Sequence, residues 1–594
     1  MKIEKEMIKK VFNLDSIIPR LIASWMIVVS FLLFKNVDYT NIEFSQNESL
    51  IAVAILLIVS FMFLSFIKII IKKIESDSLF LFIFSTINIL FWILNKINGL
   101  ENVLLLFGFS IIYFLVIFYF YRKNKVLFDD LEINKVLTYA ICIMIVFITF
   151  TILNITLSLK YLSYGSPNFD FGIFVNTMYN IKTKGLPLVT CERDVLMSHF
   201  SVHISPVLYL VYPFYLLFPN PITIQIVGSL FSFLGIIPIL LISNKLNKSS
   251  LETIIITIIF ALYPALSSGS FYDFHENCFL SFFLLMAFSM LELEKPVLMF
   301  IFSLLVLTVK EDASVYLAIF SLFIIFDKKK YVQGSILFVV SVVYFIIAVH
   351  ILNTTGYGAM TYRYDNLIYN DSGLLGMIKT ILLNPGYAIR ELFMTSSGAW
   401  DKLQYFIIMM LPLGFTPLIT KKPSRLILVL PLLLNLLTRY IYQYNINFQY
   451  NYGILSFLIY ASILNVEDFN LDFKSIVHTI SLSSVFIFYL ALVLPSFYFN
   501  IRNYRANKEL YESFDTALES IPKDASVLAS TFILPHIANR DTIYELEYHD
   551  YKTDIEYVAI DLRYSAYNSY RNWYRSKGYT EYYRSDYLII LKIE

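Results

Sequence analysis

The sequence predicts a polytopic α-helical membrane protein of about 15 transmembrane helices, followed by a small α/β domain outside the membrane. Three observations predict it. The 594 residues are 58% hydrophobic and only 15% charged, with a mean hydropathy of +0.66, which leaves too little polar surface for a water-soluble chain. Apolar runs of about 20 residues recur between short basic loops. After residue 500 those runs stop, and short alternating segments begin. The net charge of +1 gives no reason to expect nucleic acid as a partner. Cys142, Cys191 and Cys278 are too few and too scattered for a disulfide framework or a metal knuckle. The Ile, Asn, Lys, Phe and Tyr bias suits an AT-rich prokaryotic genome, and hence a prokaryotic plasma membrane.

The basic start MKIEKEMIKK leads into an apolar run without a small-residue cleavage site, so that run reads as a retained first helix. Spans at 19–36, 50–72, 78–98 and 102–121 form a first module, 1–125, with no buried charge of note. The polar break RKNKVLFDDLEINK separates it from a larger membrane domain, 130–500, which opens with a span at 135–159. Further spans fall near 222–242, 251–268, 276–293, 296–311, 313–326, 331–352, 403–420, 424–440, 450–465 and 474–498. The segment VHISPVLYLVYPFYLLFPNP is apolar but short, and Pro206 and Pro213 interrupt it. It reads as an interfacial or re-entrant helix within a long external loop, 160–221; the alternative is a kinked span. A second external loop, 353–402, is punctuated by Gly, Asn and Pro and is placed to act as a lid.

Lys/Arg bias sets the orientation. The N-terminus and the loops with Lys72 and Lys73, Arg122 to Lys125, Lys245 and Lys248, Lys328 to Lys330, and Lys421 to Arg425 fall inside. NVDYTNIEFSQNE and IYQYNINFQYN, almost free of basic residues, fall outside. The C-terminal α/β domain, 501–594, is then extracytoplasmic. It reads as an amphipathic helix ended by Pro522, the strands ASVLAST, DTIYEL, EYVAIDL and SDYLIILKI, and a helix over YNSYRNWYRSKGY.

This topology places four charged clusters on the outer face, where ionisable groups at membrane depth mark a polar cavity. Asp170 in NFDFGIF suits a general base for an acceptor hydroxyl or a metal ligand, or equally Asn168 or Asp170 is a helix N-cap. His199 and His203 share a helical spacing; they suit phosphate binding better than zinc, or else are interfacial histidines. Asp273, His275 and Glu276 in YDFHEN suit divalent-metal or phosphate chemistry, against an N-capping role for Glu276. Lys310, Glu311 and Asp312 in VKEDAS suit an anionic ligand with its metal, against a solvated turn. Arg363 in the second external loop is a further substrate-binding candidate. The Tyr/Asn/Gln-rich stretch 440–452 suits sugar stacking or an interfacial aromatic belt.

The ordered motifs FDFGIF, HFSVHISPVLYLVYPFY, YPALSSGSFYDFHEN and VKEDASVYLAIF, with IPKDASVLASTFILPHIANRDTIYEL and EYVAIDLR near the end, carry a resemblance. Together they resemble the predicted membrane proteins of domain-of-unknown-function family two-zero-seven-nine, from about residue 135 to the C-terminus. That family is grouped with the GT-C glycosyltransferase superfamily. The resemblance implies a GT-C-like fold, an acidic residue on the first long external loop, and a polyprenyl-phosphate-linked sugar as donor. Asp170 matches the first-loop acid, and helices 171–184 and 203–218 match interfacial helices beside the donor groove. Asp273, His275, Glu276, Glu311 and Asp312 match other polar motifs of the family. No clear DxD is present.

The reading that follows is an integral-membrane glycosyltransferase that moves a sugar to a glycan, lipid or protein acceptor on the outer face. Asp170 is the expected base, and His199, His203, His275, Lys310 and Arg363 are the expected donor-phosphate or substrate ligands. A divalent metal, Mg or Mn, is expected on Asp273, Glu276, Glu311 and Asp312. The rival class is a transporter or flippase of a lipid-linked or anionic solute, which would use the same charges as a pathway. A third reading is a scaffold whose charges are only caps and turns.

Overall fold

The computed structural model describes residues 13–35, 49–71, 75–96, 103–129, 133–370, 373–395, 400–548 and 551–593. The N-terminal MKIEKEMIKK, the 36–48 loop, and Lys72 with Lys73, on which part of the charge argument rests, lie outside the described residues.

Eight described helices are long and apolar enough to cross a membrane: Ser16–Phe34, Leu50–Ile70, Ser76–Ile93, Val103–Lys123, Lys135–Leu162, Pro221–Lys245, Tyr331–Thr355 and Leu471–Ala506. Between them lie shorter apolar helices, among them Leu208–Leu217, Ser250–Ala261, Pro296–Leu307, Ala313–Phe326 and Pro423–Leu437. The sequence treats most of these as full spans. At about 1.5 Å per residue, a 12-residue helix such as Ser250–Ala261 covers only about 18 Å of the roughly 30 Å hydrocarbon layer. Such short helices leave polar backbone ends at depth, which is tolerated only where protein or a polar cavity surrounds them. The ten residues of Leu208–Leu217 reach about 15 Å, too short to span.

The first four helices pack on one another and, through Val103–Lys123, on the late helix Leu471–Leu492; the Tyr113 and Phe486 rings meet at 5.4 Å. This block does hold buried charge, contrary to the sequence reading. Arg20 Nε donates to Asp77 Oδ1 at 2.8 Å with both side chains 0% exposed, and Lys68 also pairs with Asp77. The pairing is invisible in sequence because its partners are far apart along the chain. Breaking a buried pair strands one charge, at a cost of about 3–5 kcal/mol. Asp77→Leu is therefore expected to lower the melting temperature sharply, and Arg20→Met with Asp77→Leu to recover part of the loss, as read by thermal unfolding in detergent.

Two helices, Phe279–Glu292 and Tyr452–Val466, are apolar and buried nearly all round, with Phe288 stacked on Tyr460 at 4.6 Å. They form the centre of the larger domain. The first external loop supplies the short helix Ile173–Lys184, ended by Gly185 at φ +72°. A two-residue antiparallel ribbon follows, β1 (Leu188–Val189) with β2 (Met197–Ser198), and then Leu208–Leu217.

The C-terminal region contains β3 (Val527–Ala529), β4 (Ile543–Glu545), β5 (Tyr557–Asp561), β6 (Tyr579–Arg584) and β7 (Leu588–Ile593), in the order β4–β3–β5–β7–β6. β3 pairs parallel with β4 and β5, and β7 pairs antiparallel with β5 and β6. Strand β6 was not anticipated; its sequence YTEYYR is mostly exposed and lacks an apolar face. Leu528, Val558 and Ile560 face one small core, while Val527, Ala529 and Ala559 face the main core, as strand alternation requires. The sheet is thus welded to the first external loop. Thr190 Oγ donates to Ile543 O at 2.7 Å, Asn176 Nδ2 to Ala538 O at 2.9 Å, and Asn168 Nδ2 to Glu545 at 2.9 Å.

Candidate functional site

Six segments separated in sequence line one cavity of about 360 Å³. Asp170 comes from the turn Asn168–Gly172 at the head of Ile173–Lys184, and Glu192 and Arg193 from the ribbon tip. His199 and His203 flank the short turn after β2, and His275 and Lys310 sit at helix breaks. The far wall is aromatic, built from Tyr272, Tyr440, Tyr442, Phe448 and Tyr450. Arg363 lies against that wall, its guanidinium 5.2 Å from the Tyr440 ring and 5.0 Å from the Tyr450 ring. The second external loop is pinned here, because Tyr357 N donates to Ser201 O at 2.9 Å. Neighbouring Gly356 passes so close that a Cβ would stand 2.2 Å from Ser201 O.

Hydrogen bonds order the ionic wall in pairs. His199 Nδ1 donates to Glu192 Oε2 at 2.9 Å, and its Nε2, also buried, has no hydrogen-bond partner among the described residues. His203 Nδ1 donates to Glu311 Oε1 at 3.0 Å, while Ile204 N donates to the other oxygen at 3.1 Å. Lys310 Nζ is buried, 3.6 Å from Glu276 Oε1, and makes no hydrogen bond among the described residues. His275 Nδ1 lies 3.1 Å from Glu276 Oε2, and its Nε2 lies 3.9 Å from Asp170 Oδ2. The Asp170 side chain is 27% exposed.

Asp273 stands apart from this wall. It accepts from Lys160 Nζ at 2.6 Å, Ser166 Oγ at 2.9 Å and Gln225 Nε2 at 3.0 Å. Lys160 is in the last turn of the helix Lys135–Leu162, so this knot ties a membrane span to the YDFHEN turn. Asp273 sets the position of that turn and does not line the main cavity.

The electrostatics follow from burial and these partners. Burial pushes the Asp170 carboxyl up to about 7; the Glu276 carboxylate adds to this, and Lys310 opposes it. Burial disfavours a charged His199, but Glu192 outweighs it and holds the imidazole above its ordinary range. Burial and the Lys310 charge hold His203 and His275 well below theirs, so both are neutral near pH 7. Burial also opposes the Lys310 charge, yet Glu276, Asp312 and Glu311 keep its pKa above the ordinary value. The cavity therefore presents fixed cations opposite a carboxyl that titrates near neutrality.

A divalent metal on the four acids expected to hold it is a poor fit. Asp273 is saturated by Lys160, Ser166 and Gln225, and Glu311 by His203 and Ile204 N. Glu276 faces Lys310, and Asp312 lines a different cavity. Among the described residues no cluster of three or more His, Cys, Asp or Glu side chains converges as a metal site.

The structure thus gathers Asp170, His199, His203, His275, Lys310 and Arg363 around one cavity. The N-cap alternative for Asp170 does not describe its contacts, since Gly172 precedes Ile173–Lys184 and no side chain caps that helix. Nor is the Lys310 turn solvated, because Lys310 is only 1% exposed. The N-cap role beside Glu276 falls to His275, which accepts from Asn277 N. Sequence reasoning missed Glu192, Arg193 and Lys160. The available signal for Glu192 was an acid seven residues before His199 across a short turn, a spacing that means nothing until the ribbon is known.

A second cavity, of about 180 Å³, adjoins the first and shares His203, Met360 and Arg363 with it. Its walls are mainly apolar, including Val315, Leu374 and Met377, with Phe345 and Val349 from the long helix Tyr331–Thr355.

Residues 160–590 match the family described as "Predicted membrane protein (DUF2079)". No curated protein matches the chain. Among solved structures, ArnT from Cupriavidus metallidurans bound to undecaprenyl phosphate aligns at 8% identity and a TM-score of 0.38. The alignment covers 76% of this chain and 97% of that one. The apo form of the same protein aligns over the same shares at 8% identity and a TM-score of 0.33. Likeness at that level does not establish a common fold.

Proposed function

This chain belongs to the DUF2079 family of predicted membrane proteins, and from that premise we propose that it is an integral-membrane glycosyltransferase of GT-C type. It moves a sugar from a polyprenyl-phosphate donor to an acceptor hydroxyl on the outer face of the plasma membrane. The observation that carries the reading is the single cavity in which a carboxyl titrating near 7 faces Lys310, His199 and Arg363. A group-transfer reaction that expels a phosphate needs one base and a set of fixed cations.

The remaining surfaces suit the same substrate. Sugar rings stack on aromatic faces, and the wall of Tyr272, Tyr440 and Tyr442 offers them. The apolar neighbouring cavity is lined in part by Phe345 and Val349 of a membrane helix, which suits the first isoprene units of a lipid tail. Asp170 accepts the proton of the acceptor hydroxyl as its oxygen attacks the anomeric carbon. The N-terminus lies in the cytoplasm and the sheet domain outside, packed on the first external loop that lines the cavity.

The pH profile tests the assignment. A base must be deprotonated, so with a carboxyl at about 7 the transfer rate is expected to rise roughly tenfold per pH unit below that value and to stop rising above it. The assay uses purified protein with polyprenyl-phosphate sugars and measures kcat/KM from pH 5 to 9. A profile flat across pH 6 to 8 would remove Asp170 from the role.

A further inference from the structure

Among the described residues, four side chains lining this cavity hold a buried polar atom without a hydrogen-bond partner: His199 Nε2, Lys310 Nζ, Arg363 Nε and Gln449 Oε1, of which the first two stand together on the ionic wall. His199 and Lys310 are 2% and 1% exposed. Unmet buried donors carry a desolvation cost, so a site that retains them is shaped for a ligand that accepts from both. His203 Nδ1 is likewise committed to a carboxylate, Glu311, but burial and the Lys310 charge keep its ring neutral. The two histidines, alike in sequence, are therefore different in kind.

We propose that His199, oriented by Glu192, is the proton donor to the phosphate that leaves the sugar, with Lys310 as its fixed cationic neighbour. This rests on the glycosyl-transfer reading above and names the leaving-group side of it. Glu192 is a positioning residue: its carboxylate accepts the hydrogen bond from Nδ1–H and so fixes the ring orientation and presents Nε2–H to the cavity. The groups facing His199 are Glu192 on its own loop, His203 one turn on, Glu276 and Lys310 from the helix breaks, and Asp170 and His275 across the cavity. Of these, Glu192 is the acid in hydrogen-bond contact, and it holds the ring's proton more tightly than an ordinary imidazole would.

The step balances. The acceptor oxygen forms its bond to the anomeric carbon while the bond from that carbon to the phosphate oxygen breaks, its electron pair leaving with the phosphate. The acceptor proton passes to Asp170, and His199 Nε2 gives one proton to the phosphate. Exchange with water then removes the proton from Asp170 and restores one to His199.

Farnesyl phosphate, a short polyprenyl phosphate, is the probe for this subsite, with farnesol and inorganic phosphate as separate arms. Binding to the full-length protein in detergent is measured by calorimetry from pH 6 to 9. Each variant is compared with the unaltered protein at the same pH, which removes the titration of the phosphate itself. His199→Gln is expected to weaken farnesyl phosphate binding about tenfold or more at pH 7 and to leave farnesol binding unchanged. Glu192→Gln is expected to weaken farnesyl phosphate binding, and to weaken it more as the pH rises, because the ring then gives up its proton at lower pH. Normal melting of both variants checks the fold.

Equal binding by His199→Gln and the unaltered protein at every pH overturns the inference, as does a loss that is the same for farnesol. If sugar transfer is observed with such a result, the glycosyltransferase reading survives without this donor. If the pH-dependent phosphate binding holds but no sugar is transferred from any polyprenyl-phosphate sugar, the phosphate site stands and the transfer reading fails.

Discussion

Replacing Asp170 with Asn is expected to lower sugar transfer at least about a hundredfold, while leaving the fold and donor binding close to normal. The separation of these effects follows from the contacts. The Asp170 carboxylate makes no hydrogen bond to the protein among the described residues; its nearest charged neighbour is His275 Nε2 at 3.9 Å. Asn keeps the shape and removes a carboxyl that burial already holds at about 7, so stability has little to lose. The check is single-turnover transfer by purified protein, with a melting curve and farnesyl phosphate affinity measured on the same sample. A variant that melts normally and transfers at an unaltered rate removes the base from the mechanism.

Lys310→Met carries the second large effect, and it has two parts that a paired variant separates. Lys310 is buried 3.6 Å from Glu276, so the substitution leaves that carboxyl without its cation. Stranding a buried charge costs up to about 3–5 kcal/mol. Burial already holds the Glu276 carboxyl above its usual range, so uptake of a proton relieves part of that cost. Adding Glu276→Gln is expected to restore the melting temperature. Transfer is expected to stay about a hundredfold down in both variants, because the cation that meets the departing phosphate is gone. Recovery of transfer together with stability would assign Lys310 to the fold alone.

Much of the fold was legible because membrane burial writes itself into composition. Runs such as 135–159 and 331–352 need only length and apolarity to be recognised. Length also marked 202–221 as unusual, and the helix Leu208–Leu217 is short. What stayed hidden depends on pairing across long stretches of chain. Arg20 with Asp77, and His203 with Glu311, carry no periodic signal. The half-length helices were hidden for a related reason: Ser250–Ala261 and Pro264–Ser268 read as one span, 251–268, until the turn between them is seen.

The site was half legible by the same logic. Asp170, His275 and Lys310 stood out because charge is costly among apolar residues. Glu192 did not, since it sits in a polar loop, CERD, where acids are ordinary. Its meaning comes only from the ribbon that brings it to His199. The docking of the C-terminal sheet on the first loop was equally unreadable. Thr190 meeting Ile543 and Asn168 meeting Glu545 are contacts between residues that alternation and hydropathy cannot connect.

The central claim is that the bond between sugar and lipid phosphate is broken in this cavity. The most direct measurement places the purified protein in liposomes with polyprenyl-phosphate sugars labelled in the sugar, and follows both the chemical form and the leaflet of the label. The account predicts free polyprenyl phosphate and label in a new covalent product, lost in Asp170→Asn. Label that crosses the bilayer with its lipid-phosphate bond intact, at a rate the variant does not change, would contradict it and point to a transporter.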